Sequence, residues 1–428
     1  SGDSIALASG ASQTGFGRTG TVDWQTSIKT STITAVNGEG YFVNTTGGAI
    51  TANLPAGTAG SIVAFKDYLG TFDSNALTIA PNGSQKINGN STTDLSVSTE
   101  GESITLVYAD DTQGWLVVND GNNDAGSQAA FITATGGTIT TVCTNFKVHT
   151  FTGPGTFTVC SVGNAAGSNT VDYLVVAAGG GGGYCMGGGG GAGGFRESSG
   201  AASGCYTASP LGACVAALPV SAQGYPIAVG AGGGGGTSNN DKGCSGAVST
   251  FSTITSAGGG GGGARPSSPD STLGIAGGSG GGNANDSPSS NTNPAGNTPP
   301  VSPPQGQPGG FGRGNTGVNK SGGGGGATAA GGDGGPGEVS GPGGAGATSS
   351  INATPTGRAG GGSGGIYSTG GHSKGTASDG GGVGGPGATN GTANTGGGAG
   401  GGGHSSDPGT QNGGTGGSGI VIIRYKFQ

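Results

Sequence analysis

Side chains that commonly do chemistry are scarce in this chain. Histidine occurs three times, at His149, His372 and His404, and nothing in the sequence pairs any of them with the acid that a nucleophile relay needs. The six cysteines, Cys143, Cys160, Cys185, Cys205, Cys214 and Cys244, include no CxxC pair, so a zinc site has little support. Their even number permits disulfides, in any of about 15 pairings, and equally permits small buried thiols. FGRGNTG places GxGxxG at Gly312, Gly314 and Gly317, but it follows no strand and opens no helix, as dinucleotide binding requires. GGSGG at 277–281 and 361–365 fits GxSxG without the strand–turn–helix that exposes a nucleophile. NDGNNDAG at 119–126 sets Asp120, Asn122 and Asp124 at calcium-loop spacing. It then has Ala125 where that loop turns on Gly, and Phe131 where it needs a bidentate Glu. The expectation is no catalytic residue, no metal and no cofactor.

What remains is a set of aromatic and cationic residues lying between glycine runs: Phe195, Arg196, Tyr206, Phe311, Arg313, Tyr367, His372, Lys374 and His404. Aromatic and arginine side chains on a rigid support make large contacts at low entropy cost, so these are candidate contacts for a partner. The competing role is to cap whatever the glycine runs build and shield it from water. Tyr225 and Phe251, beside IAVG and STIT, read instead as packing residues of strands.

The elements that must position these residues follow from composition. Of 428 residues, 110 are Gly and 20 are Pro, and only 8% are charged. The glycines are uneven, since 86 of them lie between Val171 and Ile420. Net charge is −7 and no Lys/Arg run occurs, which argues against a nucleic-acid partner. The longest apolar runs, YLVVAA and IVII, are too short to insert in a membrane. No basic segment followed by an apolar one opens the chain, so no signal peptide is expected.

Residues 1–35 are polar and rich in Thr and Ser, and read as an attachment or oligomerisation arm. Residues 36–120 alternate short β-branched and aromatic runs (YFVN, SIVAFKDY, ALTIAP, SITLVYA, GWLVVN) with turn signals such as NGEG and PNGS, which predicts a compact β module around Trp115. A linker, 121–140, leads into a β base made of 141–178 and 419–428. Here the closing IVIIRYK is expected to pair beside YLVVAA, so that the glycine-rich stretch 179–418 is one excursion clamped at its root.

Three structures compete for that excursion. Collagen fails, because the runs keep no Gly register of three. Disorder is the compositional default, since few apolar side chains offset the ordering entropy. The third is a lattice of polyglycine-II helices, left-handed with about three residues per turn and about 3.1 Å rise. Such helices have no internal hydrogen bonds, so every N–H and C=O must find a partner on a neighbour. Recurring, bounded glycine runs separated by loops fit this option. The expected fold class is therefore all-β modules plus a polyglycine-II lattice, with essentially no α-helix.

VDYLVVAAGGGGG, YPIAVGAGG, STFSTITSAGGGGGG and GSGIVIIRY resemble the glycine-rich domains of bacteriophage tail-fibre and adhesin proteins, over about 145–264 and 413–427. AVNGEGYFVNTTGGAITANLPAGTAGSIVAFKDY is similar to a β module of phage fibres. The resemblance implies a polyglycine-II tip with receptor-binding loops, on a homo-oligomer, usually a trimer, at the virion surface after assembly in the host cytoplasm. The implied partners are a host surface glycan or outer-membrane protein and other virion fibre or baseplate proteins. Six cysteines and so long a tip depart from that pattern. The competing functions are a purely structural fibre or filament subunit and, more distantly, an ice-binding protein.

Overall fold

A computed structural model describes residues 22–90, 94–119, 130–163, 167–204, 206–212, 215–265, 269–285, 293–315, 318–335, 339–367, 373–404 and 408–428. Cys205, Cys214, His372, Gly317, the calcium-like Asp120, Asn122 and Asp124, and residues 1–21 of the expected arm lie outside them. The described residues form 24 strands and three short 3-10 turns. The chain divides into two compact units, Ser1–Ala129 and Ala130–Gln428, with the division inside the segment read as a linker.

In the first unit, β1 (Asp23–Lys29), β3 (Glu39–Val43), β5 (Ile62–Asp67), β8 (Ser103–Asp110) and β9 (Gly114–Val117) form one sheet in that order. The second sheet runs β2 (Ile33–Thr34), β4 (Ile50–Asn53), β6 (Leu77–Ala80), β7 (Leu95–Val97). The first six strands alternate between the sheets, and their pairings within each are parallel, so the chain coils through three rungs. Residues 23–34, read as part of an arm, supply the first strand of each sheet, because Ile33 and Ala35 enter the core. That core holds Phe65, Phe72, Leu77, Ile104 and Trp115, each fully buried. Asp67 is buried at the end of β5, where its carboxylate accepts the backbone N–H of Gly70, Phe72 and Gly101.

The second unit is rooted in two packed sheets. One runs β10 (Thr133–Thr135), β13 (Gly155–Ser161), β17 (Gly224–Ala228), β18 (Ser249–Phe251), β19 (Ile254–Ser256). The other runs β11 (Thr138–Val142), β12 (Phe146–Phe151), the C-terminal β24 (Ile420–Lys426), β14 (Thr170–Val176), β15 (Phe195–Glu197), with β16 (Leu218–Pro219) also on β14. Two hairpins stand apart, β20 (Arg313–Asn315) with β21 (Val318–Lys320) and β22 (Ala347–Ser349) with β23 (Thr356–Arg358).

β24 pairs with β14 from Asp172↔Arg424 to Val176↔Ile420, the closure expected from the sequence. Both strands are buried on two faces. Val171, Tyr173, Val175, Val421, Ile423 and Tyr425 pack with Phe157, Tyr225 and Phe251 in the inter-sheet core. Leu174, Val176, Ile420 and Ile422 face the opposite way, against Phe195, Ala327 and Ile351. A strand covered on both faces reads as an unbroken apolar run, which is why YLVVAA and IVII lack alternation.

Beyond β14 the interior is backbone. Nine consecutive N–H groups, Ala177 to Cys185, donate in strict rotation to three neighbouring segments. Ala177, Gly180 and Gly183 bond to Gly194, Gly191 and Gly188, while Ala178, Gly181 and Tyr184 bond to Ala247, Cys244 and Asp241. Gly179, Gly182 and Cys185 bond to Gly417, Gly414 and Gln411. Three further segments donate back, through Gly233 and Gly236, Gly259 and Gly262, and Ala399 and Gly402. The segment 177–185 thus has six neighbours, and 187–195 has the same environment. A partner change at every residue with a return after three is what a threefold extended chain without internal hydrogen bonds requires.

Close approach demands glycine here. A Cβ at Gly182 would fall on the carbonyl oxygen of Gly400, and one at Gly190 on that of Gly180, nearer than the 3.0 Å that real Cβ atoms keep.

Candidate functional site

Hydrogen-bond register fixes which end of each glycine segment lies against the sheets. Segment 177–185 leaves β14 at Ala177 and ends in the turn Tyr184–Met186, so the YCM triplet is a buried turn and marks the far end. Cys185 and Met186 take φ of 39° and 54° to close it. Other segments reach the same turn. Arg265 N–H donates to Tyr184 O, Ser321 Oγ–H to Met186 O, Gly365 N–H to Gly187 O and Gly402 N–H to Gly183 O. The segment ends at Gly236, Ala264, Asn285, Gly312, Ile366 and Gly403 therefore gather at the far end.

This separates the eight sequence candidates that lie among the described residues. Phe311, Arg313, Tyr367, Lys374 and His404 lie at the far end. Phe195, Arg196 and Tyr206 lie at the sheet end, where the chain after the second glycine run supplies β15 to β17. Phe195 is 1% exposed, packed in the second apolar cluster of the base, so it is not a surface contact. Apolar burial outweighed its position beside a glycine run. Arg196 is half-buried and its Nη1 donates to Thr255 O at 3.4 Å. Tyr206 lies beneath the Arg424 guanidinium, 5.0 Å from its ring centroid, and its phenol is pushed well up by burial, then by the nearby Asp172 carboxylate.

At the far end Tyr367 and His404 form a stacked pair, with ring centroids 4.6 Å apart and planes at 16°. A parallel bridge joins the two residues, His404 N–H donates to Ile366 O at 2.9 Å, and Ile366 is buried beside them. Both rings are half-buried. His404 is held below its usual pKa by burial and then by the Arg265 charge. On β20, Arg313 has its side chain 65% exposed and lies 3.6 Å from Asp333, whose Oδ1 accepts the Phe311 N–H at 2.9 Å. Lys374 is exposed, with Nζ 3.4 Å from Pro386 O. The arrangement offers a stacked ring pair and two exposed cationic side chains near the ends of the glycine segments.

Cys143, Cys160 and Cys244 are exposed free thiols and Cys185 a buried one. Burial pushes the Cys185 thiol up, against the pull of Arg265 Nη1 at 3.9 Å. Among the described residues no group of three or more His, Cys, Asp or Glu could hold a metal ion.

Sequence reading missed a buried charged set at the sheet end. Arg424 is fully buried, its guanidinium between the Phe146 and Tyr206 rings at 4.7 and 5.0 Å, with Nη1 donating to Ile351 O at 3.1 Å. Opposite it across the strand pair, Asp172 accepts from Ser198 Oγ at 2.7 Å and from Ser203 Oγ. Glu197 accepts the Ser209 N–H at 2.8 Å and Ser349 Oγ–H, and burial raises its pKa. These contacts tie 198–209 and 347–351 to the sheet. The signal in the sequence was Arg424 within IVIIRY, a cation that an apolar strand carries only when something receives it.

The chain matches the glycine-rich domain family over residues 150–426. It belongs to that family. The match takes in the base sheets from Thr150 onward and the glycine segments, so the family's glycine-rich domain here is a clamped excursion rather than a flexible tail. No curated protein matches the chain.

Proposed function

We propose that this chain is a virion fibre or adhesin that displays loops on a rigid glycine lattice to bind a receptor on a host-cell surface. The single observation that carries this reading is the gathering of exposed Arg313 and Lys374 and the stacked Tyr367–His404 pair at the end remote from the sheets. Binding residues sit disproportionately on loops positioned by a rigid scaffold. The lattice is of polyglycine-II type on this reading, supported by the threefold rotation of hydrogen-bond partners. The partner is a surface glycan or an outer-membrane protein of a bacterium, and the fibre is a homo-oligomer, with three copies the favoured number. The protein acts at the surface of the particle, without catalysis.

Binding of labelled full-length protein to a panel of bacterial cells tests the reading, alongside Arg313→Ala, Tyr367→Ala and His404→Ala together. The triple variant is expected to keep its melting temperature while its affinity drops by about thirtyfold or more, the loss of one interface hot spot. Undiminished binding by the variant, or no binding across a broad panel, refutes it and leaves a purely structural fibre subunit.

A further inference from the structure

The first unit holds a cleft of about 390 Å³ where the first strands of its two sheets meet, lined by Gln25, Lys29, Thr32, Thr34, Glu39 and Tyr41 among others. Its size falls in the range of small-molecule sites, about 300–1,000 Å³. Tyr41 and Ile33, each 3% exposed, are among its lining residues.

The cleft holds one cation, Lys29, and one carboxylate, Glu39. Glu39 is committed internally, since the Tyr41 phenol donates to its Oε2 at 2.6 Å and in turn accepts the Val36 N–H at 2.9 Å. Lys29 holds its ammonium 5.6 Å from the Tyr41 ring centroid and bonds to Ser27 Oγ at 3.3 Å, and among the described residues no carboxylate forms an ion pair with it. Around it stand the Gln25 amide and the hydroxyls of Ser31, Thr32 and Thr34. An available cation with several hydroxyl and amide groups calls for a ligand with a carboxylate and several hydroxyls.

We propose that this cleft binds a sugar acid, one uronic-acid unit either free or at the end of a polysaccharide, with its carboxylate on Lys29 and its hydroxyls on Gln25, Thr32 and Thr34. This site is independent of the far-end loops, and its failure would leave the receptor reading untouched.

The test is calorimetric titration of the full chain with sodium galacturonate, with galactose and acetate as probes lacking one half of the chemistry, and with oligogalacturonide as the polymer arm. Galacturonate is expected to bind at least about tenfold more tightly than galactose or acetate, the worth of one charge-assisted contact. Lys29→Met is expected to reduce galacturonate to the galactose level without shifting the melting curve. Tighter binding of the oligomer than of the monomer assigns a polysaccharide end, and the reverse assigns the free acid. No heat with either acid, or equal binding by Lys29→Met, overturns the proposal.

Discussion

Residues 22–119 and the glycine segments of 177–418 reach a buried interior by opposite routes. In the first, the backbone is paired within two sheets and side chains fill the space between them, with Trp115, Phe65 and Ile104 fully buried. In the second, backbone fills the space itself, and six neighbours around one chain replace the side-chain core. A side-chain core tolerates a change of volume in proportion to the cavity or overlap it makes. A backbone core has less tolerance, because at most of its buried glycines a Cβ would fall on a hydrogen-bonded neighbour. What it gains is freedom at its edges, where the connections contribute little to the interior.

The sharpest way to break this contrast is Gly190→Ala. A Cβ there meets the carbonyl of Gly180 between two central segments, and the second unit is expected to lose more than about 4 kcal/mol and its cooperative melting. A folded Gly190→Ala protein with an unchanged melting curve would refute the backbone core. Next in size, Trp115→Ala should cost the first unit about 3–5 kcal/mol, read from its denaturation midpoint, and leave a weakened but folded β module.

Acid should separate the units more gently. His149 is buried between the Phe157 and Tyr425 rings, with Nδ1 at 2.7 Å from Gly136 O and Nε2 at 3.1 Å from the Tyr425 hydroxyl. Burial depresses its pKa, with Lys147 adding to the effect and the Gly136 bond opposing it. Its contribution is present above the unfolded value of 6.5 and is lost as pH falls towards the lower folded value. In the first unit, burial opposes the charge on Asp67, but backbone N–H donors from Phe72, Thr71, Gly101 and Gly70 bring its pKa below the ordinary 3.8. Its loss therefore begins only below 3.8. Melting followed between about pH 7 and 5 should show the second unit weakening first. His149→Gln should abolish that slope, which distinguishes it from Glu197, whose raised pKa acts in the opposite sense. An unchanged slope in the variant would remove His149 from the account.

The smallest effect expected is Gly234→Ala. No atom lies within 4 Å of a Cβ there, although Gly234 sits inside a run of five glycines, and the change should stay within about 0.5 kcal/mol. Destabilisation as large as at Gly190 would mean that glycine serves these segments through chain conformation rather than through close approach.

Much of this architecture was legible. Short β-branched runs between turn signals mark the strands of both units, and paired apolar runs at the two ends of the excursion mark its clamp. Tyr225 and Phe251 read as packing residues and are core residues of the base. The candidate site was legible only as a set. Phe195 and Tyr367 have the same local texture, an aromatic beside a glycine run, yet one is buried under the sheet and the other stacks on His404 at the far end. Likewise β1 and β2 were hidden in polar, Thr-rich sequence, because a parallel edge strand needs few buried side chains of its own.

The sequence by itself determined that this chain would be all β with a glycine-rich excursion, since composition leaves few apolar side chains for a core over most of residues 179–418 and residue type fixes strand propensity. Only the tertiary structure decided which glycine segment lies beside which, which loops share an end, and that Arg424 would be buried with Asp172 across from it. The physical reason is that glycine carries no side chain to encode a partner. Identical segments can pair in many registers, and the turns and sheet anchors together select one.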